Sequence, residues 1–262
     1  MSFRNQIAGL IRFSVVTTGD FYPGFDGPEA LAAFLFDEAR LARRFAMFEA
    51  LTLPALARQT DPDFTCILLT SEALPKPWME RLRDLVAPHR WASVQAVAPG
   101  QHYSLIQRAF AALPAEGLTH RTTFRLDDDD AVDLGYVARL RRLAAEVQRL
   151  GGPDRPIALG FNRGLYADLN SAAPDLFDAR ERTPLSVGAA LVAPAGWRNN
   201  IYLRNHRALA QFHDCWSDAE DFVFLRTLHR DNKSKPHMSG NQRELEPGAA
   251  EGILRDRFGL DP

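Results

Sequence analysis

The strongest constraint on this fold is an alternation. Through the first half of the chain, short apolar or β-branched runs are separated by longer segments with a one-sided apolar stripe. Residues 11–18, 64–71, 91–97 and 122–126 read as strands. Between them lies a helical segment over 28–59, with Leu41, Phe45, Phe48, Leu51 and Leu56 as its stripe and Pro54 interrupting it. A second helix opens at Pro75 and Pro77, and a third, over 101–113, carries Leu105, Ile106, Ala109 and Phe110 on one face. The run 64–71 is apolar almost throughout, as a strand covered on both faces must be. Strands alternating with helices predict the α/β class, with a mainly parallel central sheet flanked by helices and right-handed crossovers.

The second half is less regular. A helix is expected over 133–150, closed by Gly151 and Gly152, with Arg139, Arg141, Arg142 and Arg149 on a solvated face. Strands are expected over 156–161 and 184–194, the latter rich in small residues. Tyr202, His206, His213 and Trp216 are scattered through a polar stretch, and a tail helix over 249–258 ends at Gly259.

The fourth strand runs into Asp127, Asp128, Asp129 and Asp130. Adjacent carboxylates repel, so the run needs a cation or full solvation. In open α/β sheets, ligands bind outside the carboxyl ends of the strands, which is where this run falls. Two readings follow: a divalent metal that grips a diphosphate, or a solvated loop that caps the next helix. On an extended backbone Asp127 and Asp129 would share one side and Asp128 and Asp130 the other. Oxygen ligands suit Mg²⁺ or Mn²⁺, and the spacing of a calcium-binding EF-hand loop is missing. The glycine patterns of dinucleotide-binding and P-loop phosphate sites are also missing.

Composition narrows the class. With 46% hydrophobic and 24% charged residues the chain is a globular protein, and a net charge of −2 argues against nucleic acid as a partner. No apolar stretch approaches the roughly 20 residues of a membrane span. Cys66 and Cys215 are expected to be buried thiols in a reducing compartment. A cytoplasmic protein is expected, with peripheral membrane contact left open.

An α/β half of this size ending in a D-x-D run resembles the GT-A fold of nucleotide-sugar glycosyltransferases. More narrowly, Arg43-Arg44-Phe45-Ala46-Met47-Phe48-Glu49, Leu53-Pro54-Ala55-Leu56, Gln59-Thr60-Asp61-Pro62-Asp63-Phe64 and Arg125-Leu126-Asp127-Asp128-Asp129-Asp130-Ala131 resemble the rhamnosyltransferase family of bacterial glycosyltransferases. Ser186-Val187-Gly188-Ala189-Ala190 and His229-Arg230-Asp231-Asn232-Lys233-Ser234 extend the likeness, which covers about 11–237.

The resemblance implies a single domain over 1–262, with a nucleotide-sugar-binding half (1–132) and an acceptor-side half (133–262). It implies a metal-dependent hexosyltransferase using a dTDP- or UDP-linked sugar, rhamnose by the family's name, and a glycan or lipid-linked acceptor. Asp127, Asp129 and His229 would hold Mn²⁺ or Mg²⁺, with His237 as a competitor for the histidine role. Thr17, Thr18, Arg43, Arg108, Arg125, Asp127, Asp128 and Lys235 would bind the nucleotide sugar, and Arg44 is a neighbour that could reach it. Asp221, with Glu220, would supply the catalytic base. Tyr202, His206 and Trp216 are candidates for the acceptor face or for core packing. The competing functions are a nucleotidyl- or phosphotransferase on a similar sheet and a non-catalytic glycan- or cation-binding module.

Overall fold

The computed structural model describes residues 2–170, 175–232, 240–246 and 248–260. Lys235 and His237 lie outside the described residues. The alternation expected from the sequence is present: β1 (Asn5–Phe13), β2 (Thr17–Thr18), α1 (Gly27–Leu35), α2 (Glu38–Met47), α3 (Leu53–Ala57), β3 (Thr65–Ser71), α4 (Lys76–Val86), β4 (Ala92–Val97), β5 (Gly100–Gln101), α5 (His102–Ala111) and β6 (His120–Asp127). The second half supplies β7 (Ala131–Val132), α6 (Tyr136–Gly151), β8 (Ile157–Phe161), β9 (Arg163–Asp168), β10 (Asp175–Arg180), β11 (Ala190–Pro194), β12 (Asp214–Asp218), β13 (Phe224–Leu228), β14 (Asn241–Glu244) and α7 (Ala249–Ile253).

The main sheet has the order β12-β8-β11-β6-β1-β3-β4, in which β11 alone runs against its neighbours. A second sheet, β14-β10-β9-β13-β7, stands beside the end of β6. Strands from beyond residue 132 continue the main sheet, and one apolar core runs from Ile7 through Phe124 and Tyr136 to Leu228.

Several boundaries differ from the sequence reading, each for a local reason. The first strand lies over 5–13 rather than 11–18, because the chain leaves the sheet at Ser14, whose φ is 49°. Only Thr17 and Thr18 rejoin a strand, pairing with Gly100 and Gln101. The helix expected over 28–59 is four pieces. It breaks at Phe36–Asp37, where the Asp37 carboxylate accepts from the Arg40 N–H at 2.8 Å and caps α2. A π-helical turn, Phe48–Thr52, then leads into α3, where Pro54 sits in the first turn and needs no N–H partner. The strand expected over 184–194 is confined to 190–194, because Gly188 turns the chain with φ 74° under the Tyr136 hydroxyl, which donates to its carbonyl at 2.7 Å. Cys66 is buried, but Cys215 is exposed on the edge strand β12.

Gly9 sits at the centre of the sheet, opposite Phe124 in the register of β1 and β6. A Cβ there would overlap the Phe124 ring, which is fully buried. Gly9→Ala is therefore expected to destabilise the protein by about 1–3 kcal/mol through overpacking, read as a lower urea midpoint. An unchanged midpoint would contradict this packing.

Candidate functional site

Register decides where the aspartates meet their partners. Asp127 is the last residue of β6 and pairs directly with Arg12 of the parallel strand β1, so the two side chains leave the same face and form an ion pair. The strand stops there. Residues 128–130 form a turn, so the alternation expected for an extended run does not apply. Asp128 and Asp129 are both buried, and both meet Arg44 of α2. Arg44 Nε and Nη2 grip the Asp128 carboxylate as a fork, and Nη1 reaches Asp129 Oδ2 at 2.7 Å. Asp130 accepts from the Thr227 N–H at 3.0 Å. Thr52 and Thr227 hydroxyls donate to the carbonyls of Asp130 and Asp129, both at 2.8 Å, and fasten the turn to the helical layer and to β13.

His229 follows β13 and closes on Asp129, with Nε2 2.8 Å from Oδ2. The Asp231 N–H donates to His229 Nδ1 at 3.2 Å, and this contact, with the ionised Asp129 at Nε2, assigns the proton to Nε2, which Asn232 Nδ2 also approaches at 3.1 Å. Asn232 Nδ2 lies 3.4 Å from the same carboxylate oxygen.

Burial would raise the Asp127 carboxyl, but the charges of Arg12 and Arg125 outweigh it and hold Asp127 well below the usual carboxylate range. Asp129 shows the same balance: burial raises it, and the charge of Arg44 with the His229 hydrogen bond brings it below its ordinary value. For Asp130, burial and the neighbouring Asp129 charge outweigh the charge of Arg226 and push it well above the usual range.

Arg40 and Arg44 lie four residues apart on α2 and present the same helix face, whereas Arg43 turns aside to pair with Asp231. Arg40 donates to Ser14 Oγ at 3.2 Å and to the Leu35 carbonyl at 3.0 Å. Burial, with the like charge of Arg44, lowers its pKa. These groups line a cleft of about 430 Å³ at the carboxyl ends of β1 and β6. Arg226 and Arg230 enter from the β13 side. An aromatic wall of Phe21, Tyr22, Phe25 and Phe34 closes the opposite side, with Phe21 stacked on His102 at 3.5 Å between centroids.

The structure brings together some of the residues selected from sequence and separates others. Asp127, Asp128, Asp129 and Thr17 line the cleft, and His229 backs Asp129. Thr18 is exposed outside it. Arg125 is half-buried over the Tyr202 ring, 4.9 Å from its centroid, and Arg108 lines a separate groove of about 470 Å³ with Trp197. Asp221 is bound by Arg139 and by Arg257, and these hydrogen bonds hold its pKa down despite some burial. It precedes β13 whereas His229 follows it, so the two stand at opposite ends of that strand. Glu220 is exposed and pairs with Arg180. Neither acid lines the cleft. Tyr202 is buried with its hydroxyl on the Leu10 carbonyl, Trp216 packs partly against the core, and burial pushes His206 down to about 3.

The donor set expected to hold a metal does not fit one as it stands. Asp127 is engaged by Arg12, Asp129 by Arg44 and His229, and both ring nitrogens of His229 are occupied. Among the described residues no group of three or more His, Cys, Asp or Glu side chains is placed to hold a metal ion.

Arg12, Arg40, Arg226 and Arg230 were not selected from the sequence. The available signal was position: Arg12 falls at a strand's carboxyl end, and Arg40 stands one helical turn before Arg44.

Residues 6–241 match the family described as "Putative rhamnosyl transferase", and the chain belongs to that family. No curated protein matches it. Among solved structures, residues 1–349 of TarS from S. aureus in complex with UDP-GlcNAc are similar with a TM-score of 0.48 at 7% identity, over 95% of this chain and 64% of that one. A second structure of the same TarS segment gives 0.46 at 10% identity, over 85% and 60%. A glucose-1-phosphate thymidylyltransferase, so described, from Bacillus anthracis gives 0.32 at 10% identity, over 72% of each chain. The chain thus spans less than two thirds of the length of those TarS structures.

Two outcomes test this geometry. Arg44→Met leaves two buried carboxylates without their guanidinium and should cost roughly 3–5 kcal/mol, with Arg44→Lys a poor substitute because one ammonium does not span both. A loss in the urea midpoint equivalent to less than about 1 kcal/mol would contradict the pairing. Asp133, beside Arg139, has its pKa pushed up by burial to about 6. Its native form therefore keeps a proton that the unfolded chain releases near pH 4. Stability should fall as pH rises from about 4 to about 6, by up to roughly 3 kcal/mol. Asp133→Asn should remove that slope from urea titrations across the range.

Proposed function

We propose that this chain is a glycosyltransferase that moves a sugar from a nucleoside-diphosphate donor to a hydroxyl acceptor, with the donor diphosphate in the cleft between β1, β6 and α2. The observation that carries this reading is the set of guanidinium groups there. Arg40, Arg226 and Arg230 line the cleft and have no carboxylate within ion-pair distance among the described residues. Guanidinium forks match phosphate oxygens in shape and charge. The location, outside the carboxyl ends of parallel strands, is where an α/β sheet presents ligands. Membership of the rhamnosyl transferase family supports the same activity, and its name is what favours rhamnose as the sugar.

In this reading Phe21 and Tyr22 offer a surface for the nucleobase, and Arg40, Arg226 and Arg230 stabilise the charge that grows on the leaving diphosphate. The bond between the anomeric carbon and the β-phosphate oxygen breaks. The acceptor oxygen bonds to that carbon, its proton passes to a base, and the nucleoside diphosphate departs with the bonding electrons. The acceptor is a glycan or a lipid-linked sugar. No helix among the described residues is long and apolar enough to cross a membrane.

A panel of dTDP- and UDP-sugars tests the proposal. At least one should raise the melting temperature, because a ligand that binds the native state stabilises it, and with an acceptor glycan should release its nucleoside diphosphate. A panel in which no nucleotide sugar shifts the melting temperature or is turned over would overturn the reading.

A further inference from the structure

We infer that the diphosphate is recognised by guanidinium groups in place of a divalent cation, so that nucleotide binding does not require a metal. This rests on the donor-site reading above and goes beyond it. The D-x-D run predicts metal ligands, but each carboxylate that would serve is already in contact with a guanidinium, with Arg44 shared between two of them. Arg12 takes Asp127 through strand register, and Arg44 takes Asp128 and Asp129 through its position on α2. His229 presents a proton, not a lone pair, to Asp129.

Beyond Arg12 and Arg44, the cleft is also lined by Arg40, which is buried, by Arg226, which is half-buried and feels the charge of Asp130 without an ion pair, and by Arg230 at its exposed edge. Arg43, outside the cleft lining, is matched to Asp231. Arg40 is held in place by neutral oxygens, those of Ser14 and Leu35. Its burial beside Arg44 weakens its hold on its proton, a condition that an incoming anion would relieve. A nucleoside diphosphate brings negative charge to balance these cations, whereas a dication adds to them. Asp127 has a side chain 31% exposed at the mouth of the cleft. It therefore acts as a counter-ion to Arg12 that competes with the phosphates.

Calorimetric titration of the full chain with UDP and dTDP, after dialysis against EDTA and again with added Mn²⁺ or Mg²⁺, tests this. The dissociation constant should agree within about threefold under the two conditions. Arg226→Gln and the exposed Arg230→Gln should each weaken binding about tenfold and flatten its dependence on salt. Asp127→Asn should leave binding unchanged or tighten it, since it releases Arg12, whereas loss of a metal ligand would weaken it by about tenfold or more. Binding that appears only with the metal, or that Asp127→Asn abolishes in its presence, would overturn the inference while upholding the donor site. Failure of every nucleoside diphosphate to bind under either condition would overturn both.

Discussion

The pairing of Arg44 with Asp128 and Asp129 is the interaction on which the rest of this structure depends. It joins a helix near the start of the chain to a turn more than eighty residues later, with all three side chains largely buried at the floor of the cleft. Three carboxylates at one strand end are tolerable only because Arg12 and Arg44 meet them, and either side left alone would be a buried uncompensated charge. The threonine hydroxyls on the turn's carbonyls and the His229 contact then fix its shape against β13. The cleft takes its form from this turn. Its floor is acid matched by arginine, and its rim carries further arginines.

Most of the architecture was legible because it depends on local pattern. The strands at 65–71, 92–97 and 120–127 fall where β-formers cluster between helical stretches, and α4 and α5 follow their apolar stripes. β1 was misplaced because its first half, Asn5-Gln6-Ile7-Ala8-Gly9, mixes polar and small residues, and Gly9 is there to receive the Phe124 ring. The break before α2 carries neither proline nor glycine; its one mark is Asp37, a capping residue within an otherwise helical pattern.

The site was legible in part, and the missing part was its charge balance. The aspartate run announced a need for cations, and a metal ion was one way to meet it. The arginines that meet it here stand 115 and 84 residues away from their aspartates, a distance across which sequence pattern carries no information about contact. His229 was selected as a partner of the run, and the structure sets it against Asp129, but as a hydrogen-bond donor. Glu220 and Asp221 resemble a catalytic pair in sequence. The fold commits them to Arg180, Arg139 and Arg257 at the other end of β13.

We propose that arginines, and not a metal, meet both the aspartate run and the donor's diphosphate. Crystals grown with UDP or dTDP and Mn²⁺, with diffraction collected at the manganese absorption edge, test it most directly. The account predicts phosphate density against Arg40 and Arg226, the Arg12–Asp127 and Arg44–Asp128 pairs intact, and no anomalous peak beside the aspartates. An anomalous peak bridging Asp127 and Asp129 to the diphosphate, with Arg12 and Arg44 swung away, would contradict it.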